Sequence, residues 1–120
     1  MKKRCIFVSH YYNNMKVEFE KKYLQELYDY GMTSDKKHRF QPQIIKGYLK
    51  CVRALKQAER IEELFVIKSL NYHKLEGDKR GLSAIRVNDQ YRLEFREICN
   101  PNNILEIEIC SLTDITNHYK

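Results

Sequence analysis

Residues 84–95 read AIRVNDQYRLEF, and apolar side chains take every second position on either side of a short polar turn. This alternation is typical of two half-buried β-strands, and the turn residues Asn88–Gln90 predict that the strands form a hairpin. A third alternating stretch, 105–110, follows the turn-forming residues Asn100–Asn103. The pattern predicts a three-stranded antiparallel meander with one apolar face, which helices must cover, and one polar, open face.

The length of the turn determines which side chains lie opposite each other in this hairpin. A two-residue turn would pair Ile85 with Arg92 and mix apolar and charged residues on one face. A three-residue loop instead pairs Ile85 with Leu93, and it then also pairs Arg86 with Arg92. The sequence therefore predicts two guanidinium groups directly opposite each other on the polar face.

Two like charges in directly opposed positions destabilise a sheet unless something neutralises them. A bound anion would do so, and the planar guanidinium fork is well suited to the oxygens of a phosphate. The alternative is an ordinary surface network in which a neighbouring carboxylate, from Glu94, Glu106 or Glu108, neutralises the pair. The sequence alone is compatible with both explanations.

The residues before this hairpin predict the helices that cover the apolar face. A short alternating stretch, Met15–Phe19, indicates a first strand, and apolar residues at helical spacing then run to Gly31, which suits a left-handed C-terminal cap. A second helix has Pro42 in its first turn and continues to the region of Glu59. The predicted fold is α+β, a two-helix hairpin packed on one face of a small antiparallel sheet, in the order β-α-α-β-β-β.

The segment that joins the second helix to the hairpin has no clear period. Its second half, Tyr72–Gly81, is expected to be a loop. Four apolar side chains in its first half are expected to pack against the core: Ile61, Leu64, Phe65 and Ile67.

The composition is that of an ordered, soluble, single domain with a basic first half. The chain has 120 residues, of which 42% are hydrophobic and 32% are charged, and its net charge is +6. Residues 1–60 carry 14 basic and six acidic side chains, and on the second predicted helix Lys46, Lys50 and Arg53 recur along the outward side. This excess predicts a polyanionic partner, although a solvated charged face that serves only solubility explains it equally well.

Neither a metal site nor a membrane segment is indicated. The four cysteines form no C-x-x-C pair and have no histidine at metal-ligand spacing, so buried free thiols are expected. The apolar run Cys5–Val8, which follows Lys2–Arg4, is far too short for a signal peptide or a membrane span. We expect a cytoplasmic protein that uses no metal or other cofactor and binds no membrane.

Phosphate-binding arginines combined with histidines could support RNA cleavage. The reaction needs a base for the proton of the 2′-hydroxyl, an acid for the departing 5′-oxygen, and positive charge around the phosphorane. Histidine suits both proton transfers because its ordinary pKa lies near neutrality. His73 precedes the arginine hairpin and His118 follows the last predicted strand. A structural role is the alternative for each of them.

Four segments of the sequence resemble one known family: LEGDKRG at 75–81, SAIRVNDQYRLEF at 83–95, the ending NHYK at 117–120, and TSDKKHRFQP at 33–42, which resembles the loop between the helices. The family is that of the HigB-type toxins of the RelE/ParE toxin–antitoxin superfamily. The resemblance spans residues 15–120, which we expect to form the toxin domain. Residues 1–14 are expected to be an N-terminal extension outside it.

The resemblance implies a RelE-like fold and a cytoplasmic toxin that cleaves mRNA on the ribosome without a metal. It further implies neutralisation by a helix-turn-helix, HigA-like antitoxin. By this resemblance Arg92 contacts the scissile phosphate and Arg86 is a second phosphate ligand. His118 and Tyr119 resemble the terminal pair of the YoeB branch, in which the histidine is the general acid, and Tyr119 would orient the nucleotide. His73 occupies the place of the general-base carboxylate in that branch.

Glu76 is the main departure from the family pattern, because many HigB proteins have a catalytic lysine at this position. An acidic side chain would repel the substrate, and Lys74 and Lys79 are candidates to supply the missing positive charge. The residues expected to bind RNA are Lys46, Lys50, Arg53, Lys74, Lys79 and Arg80.

Two other functions are compatible with the same resemblance. The alternative to cleavage is a ParE-like protein that inhibits DNA gyrase by contact and needs no catalytic residues. The terminal pair His118 and Tyr119 favours cleavage, since a pure binder has no need of a terminal acid. A third interpretation, a partner that binds the antitoxin without being toxic, is favoured only by Glu76.

Overall fold

The computed structural model describes residues 14–117, in which helices pack against a five-stranded sheet of order β1-β5-β4-β3-β2. The elements are β1 (Lys16–Phe19), α1 (Lys22–Tyr30), α2 (Pro42–Gln57), α3 (Glu62–Phe65), β2 (His73–Lys74), β3 (Leu82–Arg86), β4 (Arg92–Asn100) and β5 (Asn103–Thr116). Neighbouring strands are antiparallel, except that β1 and β5 are parallel. The predicted α+β architecture is confirmed, and β2, α3 and the parallel pair are additions to it.

The predicted end of α1 and the predicted start of α2 are confirmed, and α2 ends at Gln57, two residues before Glu59. Gly31 ends α1 with a left-handed φ of 75°, and its N–H donates to the Leu27 carbonyl oxygen at 3.0 Å. Pro42 starts α2 in the first turn, where the missing N–H costs no helical hydrogen bond. The helix then continues for 16 residues.

One face of the sheet and the facing sides of α1 and α2 form the hydrophobic core. Tyr48 is fully buried between the helices, and its hydroxyl donates to the Leu24 carbonyl oxygen at 2.7 Å. This hydrogen bond avoids the cost of burying an unpaired polar group. The sheet contributes the fully buried side chains Ile85, Leu93, Phe95, Cys110 and Leu112.

Helix α2 also approaches the β3–β4 hairpin closely. A Cβ atom at Gly47 would lie 2.5 Å from the Val87 carbonyl oxygen, so only glycine lets the two backbones come this near. One turn later, the Cys51 thiol donates to the Arg86 carbonyl oxygen at 3.2 Å. These contacts fix the end of β3 that carries Arg86.

Part of the expectation for the segment after α2 is wrong. Ile61 and Leu64 are buried as predicted, but Phe65 is 52% exposed and Ile67 is 39% exposed. Because α3 makes only about one turn, only one of its sides can face the core. The predicted loop 72–81 contains β2, which pairs with β3 and adds an edge strand to the sheet.

A β-bulge lies near the end of β5. The pairing of β4 with β5 changes register between Glu94 and Phe95, and Thr113 is the extra residue. As a result, Leu112 and Ile115 are both buried in the core although they are three positions apart. The strand is longer at both ends than the predicted third strand.

Candidate functional site

The predicted register of the β3–β4 hairpin is confirmed, and it places the two arginines together. Arg86 lies directly opposite Arg92, and the neighbouring pair, Ile85 and Leu93, is fully buried. Paired residues share a face of the sheet, so both arginines lie on the side opposite the core. His73 pairs with Ala84, two residues before Arg86, and therefore shares that side. We call the surface formed by His73, Ala84, Arg86, Arg92 and Glu94 the arginine face.

The turn between β3 and β4 holds Arg92 in position. The side-chain oxygen of Asn88 accepts hydrogen bonds from the N–H groups of Gln90 at 2.9 Å and Tyr91 at 2.7 Å, which closes the three-residue loop. Arg92 Nη1 then donates to the carbonyl oxygens of Asn88 at 2.8 Å and Tyr91 at 3.1 Å. Since carbonyl groups carry no net charge, these contacts orient the guanidinium group and leave it positive.

Arg86 forms an ion pair with Asp89 of the same turn. The sequence pointed to Glu94, Glu106 or Glu108 as the carboxylate that would neutralise the arginines. The carboxylate that pairs with Arg86 is instead Asp89, from the turn itself. The side chain of Asp89 is 86% exposed and that of Arg86 is 40% exposed, so water weakens their attraction. An anion that reaches the hairpin can therefore compete with Asp89 for the guanidinium group.

Strand β2 places His73 at one side of the arginine face. Its Nδ1 lies 2.9 Å from the Asn71 carbonyl oxygen, and because a carbonyl oxygen can only accept, Nδ1 donates in this contact. In the neutral ring Nε2 is then the basic nitrogen. Asn71 adopts a left-handed conformation with φ of 47°, which asparagine tolerates better than most residues, and the chain bends there into β2.

A buried carboxylate lies on the arginine face, where the sequence predicted an open polar surface. Glu94 is only 2% exposed. Its Oε2 accepts from Lys79 Nζ at 2.7 Å and from Thr116 Oγ1 at 3.1 Å. Alternation along β4 assigns Glu94 to this face, but no signal in the sequence shows that Lys79, 15 residues earlier, reaches it.

Of the basic residues predicted on the second helix, Lys50 is the one that shares a pocket with Arg86. Lys46, Lys50 and Arg53 are exposed on α2, and Arg80 is exposed in the turn before β3. Lys50 and Arg86 both line a pocket of about 220 Å³ between α2 and the hairpin. Helix α2 packs on the core face and the arginines lie on the opposite face, so the two basic regions meet at this pocket.

The two lysines considered as replacements for the charge missing at Glu76 lie on opposite sides of the sheet. Lys79 reaches Glu94 on the arginine face. Lys74 pairs with Ser83, whose side chain faces the other side, and Lys74 Nζ lies 3.8 Å from Glu97 Oε1 there. Lys79 is therefore the lysine that the structure brings to the arginines.

A second polar cluster anchors the residue before His73. The Tyr72 hydroxyl donates to the Glu97 carboxylate, which also accepts from Ser83 Oγ at 2.7 Å. Burial and the contact with Glu97 raise the pKa of Tyr72 well above its ordinary value, so its phenol stays neutral at physiological pH. This cluster fixes the start of β2 from the core side of the sheet.

The two catalytic residues predicted at the end of the chain, His118 and Tyr119, lie outside the described residues. Strand β5 ends at Thr116, which is the Cα partner of Arg92. In the sequence His118 follows only two positions after Thr116.

His38 has a structural role. Its ring stacks on that of Tyr23 with centroids 3.6 Å apart, and its Nδ1 lies 3.0 Å from a carboxylate oxygen of Asp35. The hydrogen bond from His38 lowers the pKa of Asp35. These contacts hold the loop between α1 and α2 against α1.

Comparison with known proteins gives the family of this chain. A family model described as the RelE-like toxin HigB of type II toxin–antitoxin systems matches residues 17–109. The chain belongs to the HigB-like toxins. Toxin HigB-1 of Vibrio cholerae serotype O1 is 35% identical to this toxin over 83 residues, which make up 68% of the chain and 83% of that relative.

The fold of this HigB-like toxin is similar to that of the YoeB/ParE toxin from Agrobacterium tumefaciens. The TM-score is 0.52, and the match covers 88% of this chain and 100% of the other. With 13% sequence identity, the similarity shows the fold alone.

Membership of this family gives the protein a partner. The toxin of a type II toxin–antitoxin system has an antitoxin as its partner. The matched range, residues 17–109, contains the whole arginine face. Within the described part of the chain, no helix is both long and apolar enough to cross a lipid bilayer.

Proposed function

We propose that this HigB-like toxin is a metal-independent endoribonuclease that cleaves mRNA on the ribosome and thereby inhibits translation. The observation that carries the proposal is the confirmed pairing of Arg86 with Arg92 on the same side of the sheet as His73. Opposed guanidinium groups are destabilising by themselves, and a phosphate between them removes that cost. A phosphodiester bound there would lie beside a histidine.

The arginines stabilise the negative charge that grows on the phosphate during the reaction. Directly opposed side chains have Cβ atoms about 5 Å apart, so both forks can reach the oxygens of one phosphate. Arg92 is already oriented by Asn88 and Tyr91, so little reorganisation is needed when the phosphorane forms. Arg86 exchanges the exposed carboxylate of Asp89 for the phosphate.

We assign the two proton transfers to His73 and His118. His73 Nε2 takes the proton of the 2′-hydroxyl, and the 2′-oxygen then attacks the phosphorus. The bond to the 5′-oxygen breaks, and His118 gives its proton to that oxygen. The products are a 2′,3′-cyclic phosphate and a 5′-hydroxyl end. Tyr119 stacks on the neighbouring base and orients it.

The exposed basic side of α2 docks the toxin on the ribosome in this proposal. Lys46, Lys50 and Arg53 contact phosphates of ribosomal RNA, and Arg80 extends the same contact. Binding should then weaken steeply as salt concentration rises, because each neutralised phosphate releases counterions. The alternative is that the basic side of α2 packs against the antitoxin. We propose that this antitoxin is a helix-turn-helix, HigA-like protein.

The toxin domain is proposed to be residues 15–120, with 1–14 dispensable for cleavage. The family match begins at residue 17, within β1. Loss of activity in a variant that begins at Met15, with the fold retained by circular dichroism, would contradict this assignment.

The test is to map new RNA ends after a short induction of the toxin. Primer extension on abundant transcripts should show fresh 5′ ends within translated codons for the wild-type chain. Arg92→Ala and His118→Ala should abolish them, whereas Lys22→Ala, a change at an exposed lysine on α1, should not. Purified toxin should also cleave message on programmed ribosomes in the presence of 1,10-phenanthroline, which removes transition metals but leaves the Mg²⁺ that ribosomes need.

The same experiment distinguishes cleavage from the gyrase alternative. Intact messages together with arrested DNA supercoiling would show that the toxin acts by contact with gyrase, and the ribonuclease proposal would then be abandoned. Cleavage of free RNA at the same rate as ribosome-bound message would overturn the ribosome requirement alone.

A further inference from the structure

Glu94 is a buried carboxylate on the surface that we assign to an anionic substrate. It is 2% exposed and lies two residues after Arg92 on the same strand. Burying a carboxylate is costly unless it is paired and hydrogen-bonded, so a buried acid needs a partner. Lys79 and Thr116 both donate to the same oxygen, Oε2.

Lys79 crosses β3 to reach this carboxylate. It lies in the short turn Gly77–Lys79, between β2 and β3, while Glu94 is on β4. The residue of β3 directly opposite Glu94 is Ala84, whose single methyl group leaves room for a long side chain to pass over the strand. The Lys79 ammonium therefore reaches the middle of the arginine face from a turn at its edge.

The contact differs from an ordinary surface ion pair in its burial. The side chain of Glu94 is 3% exposed and that of Lys79 is 37% exposed, and the donor–acceptor distance is 2.7 Å. A short, charge-assisted bond to a buried acceptor fixes the position of the ammonium group much better than an exposed pair does. The partly exposed side chain of Lys79 meets solvent on the same face as the arginines.

We propose that Glu94 is a positioning residue whose buried carboxylate holds the Lys79 ammonium beside Arg92 as a third cation for the reacting phosphate. This inference rests on the ribonuclease function proposed above. An ammonium group has three donors, so a bond to Glu94 is compatible with a simultaneous bond to a phosphate oxygen. Lys79 then supplies positive charge that Glu76, at the exposed start of the same turn, does not supply.

Thr116 adds a second element to this arrangement. Its hydroxyl donates to the same oxygen as Lys79, and it is the Cα partner of Arg92. Glu94 thus connects the turn before β3 with the end of β5. One carboxylate sets the relative position of Lys79 and of the strand from which His118 follows two residues later.

The experiment is a double-mutant cycle on kcat and KM with purified toxin and programmed ribosomes. Lys79→Ala should lower kcat roughly 100- to 1,000-fold, as for other preorganised donors, with KM changed less than about threefold. Lys79→Arg should retain most of the activity, because it keeps a cation within reach of Glu94. Glu94→Gln should lower kcat in the same sense, because the amide no longer holds the ammonium by charge.

The decisive measurement is the double variant. If Glu94 acts through Lys79, Glu94→Gln has little further effect once Lys79 is alanine, so the two losses are not additive. Fully additive losses, or wild-type kcat for Lys79→Ala, would overturn the inference. Lys22→Ala, a lysine on α1 whose side chain is 88% exposed, is the matched control and should leave kcat unchanged.

Stability measurements separate positioning from a purely structural role. The melting temperature of each variant is recorded, and a loss of kcat that persists in variants melting like the wild type supports positioning. If Lys79→Ala fails to fold, the comparison uses Lys79→Arg and Glu94→Gln, which keep the packing. The inference then requires that Lys79→Arg keep most of the wild-type kcat and that Glu94→Gln lower it. A wild-type toxin that cleaves no RNA would defeat the proposed function, whereas active wild-type toxin with active variants would defeat only this inference.

Discussion

Arg86 and Arg92 occupy directly opposed positions on the β3–β4 hairpin, and the turn between them supplies contacts to both. Arg92 is bound by carbonyl oxygens and Arg86 by the exposed carboxylate of Asp89. The hairpin thus keeps two like charges close together before any substrate arrives. In the function proposed here, part of the folding energy of the hairpin is given up for a preformed anion site.

Phosphate should stabilise the folded toxin through these arginines. Sodium phosphate is expected to raise the melting temperature above that in sodium chloride of equal ionic strength. A concentration ten times the dissociation constant adds about 1.4 kcal/mol to the free energy of unfolding. Arg86→Gln and Arg92→Gln should reduce this difference, and Lys22→Gln should leave it unchanged. Equal shifts in all four proteins would show that the ion acts elsewhere.

Replacing Gly47 with alanine should destabilise the toxin although alanine favours helices. The added Cβ would lie 2.5 Å from a backbone carbonyl oxygen, so α2 and the hairpin must move apart. Such overpacking costs about 1–3 kcal/mol, against a gain in helix propensity of about 1 kcal/mol. Urea unfolding should show the net loss. The control is Gln43→Ala, at an exposed position of the same helix. A Gly47→Ala variant as stable as the Gln43→Ala variant would contradict the close approach of α2 to the hairpin.

The three cysteines within residues 14–117, Cys51, Cys99 and Cys110, should differ strongly in their reactivity towards thiol reagents. Burial raises the pKa of both Cys51 and Cys110 to about 12, whereas Cys99 is exposed. At pH 8 the thiolate fraction of the buried pair is on the order of 10⁻⁴, so a thiol reagent should label Cys99 first and the others only on unfolding. Mass spectrometry of a Cys5→Ser variant checks this order. Rapid labelling of Cys51 in native buffer would be incompatible with the packing of α2 on β3.

Glu20 should make stability depend on pH in the acid range. Hydrogen bonds from Ser111 Oγ at 2.8 Å and Arg96 Nε at 3.2 Å lower the pKa of Glu20 below its ordinary 4.5. The folded state therefore holds its proton less tightly than the unfolded state. The resulting stability is present above about pH 4.5 and is lost as the pH falls through the folded-state pKa.

The test compares Glu20→Gln with the wild type at pH 7 and pH 3. The difference in unfolding free energy should be below about 1 kcal/mol at pH 7, because Glu20 is partly exposed, and should shrink at pH 3. Ser111→Ala, which removes the largest cause of the shift, should weaken the same pH dependence. A difference that is constant between the two pH values would count against these hydrogen bonds.

Much of the fold could be predicted because local chemistry and tertiary packing agree. Gly31, Pro42 and the alternating strands each carry a local signal, and the three-residue loop alone determines the pairing of Arg86 with Arg92. The two-residue strand β2 is too short for any alternation to show. The burial of Phe65 was predicted wrongly because a one-turn helix has no period that the sequence could display.

The candidate site was predictable only where the strand pattern determines it. Alternation places the arginines on one side, but the contacts of Asp89, Lys79 and Thr116 depend on how turns and strand ends meet in space. Lys79 and Thr116 lie 15 and 22 residues from Glu94, and even the local pair of Arg86 and Asp89 leaves no periodic trace in the sequence. The partner of Glu94 could therefore be identified only from the folded chain.

The bulge at Thr113 has a consequence for the order of side chains along the final strand. If the intact strand paired regularly, without the bulge, Ile115 would be the partner of Arg92, and a hydrocarbon would stand beside Arg92 and Glu94. The bulge shifts the alternation of side chains along β5 by one residue, so the Thr116 hydroxyl lies on the charged side of the sheet while Leu112 stays in the core. Deleting Thr113 would therefore leave Asp114, Ile115 and Thr116 opposite the same residues of β4, whereas regular pairing of the intact strand would exchange the apolar and polar sides of its last stretch.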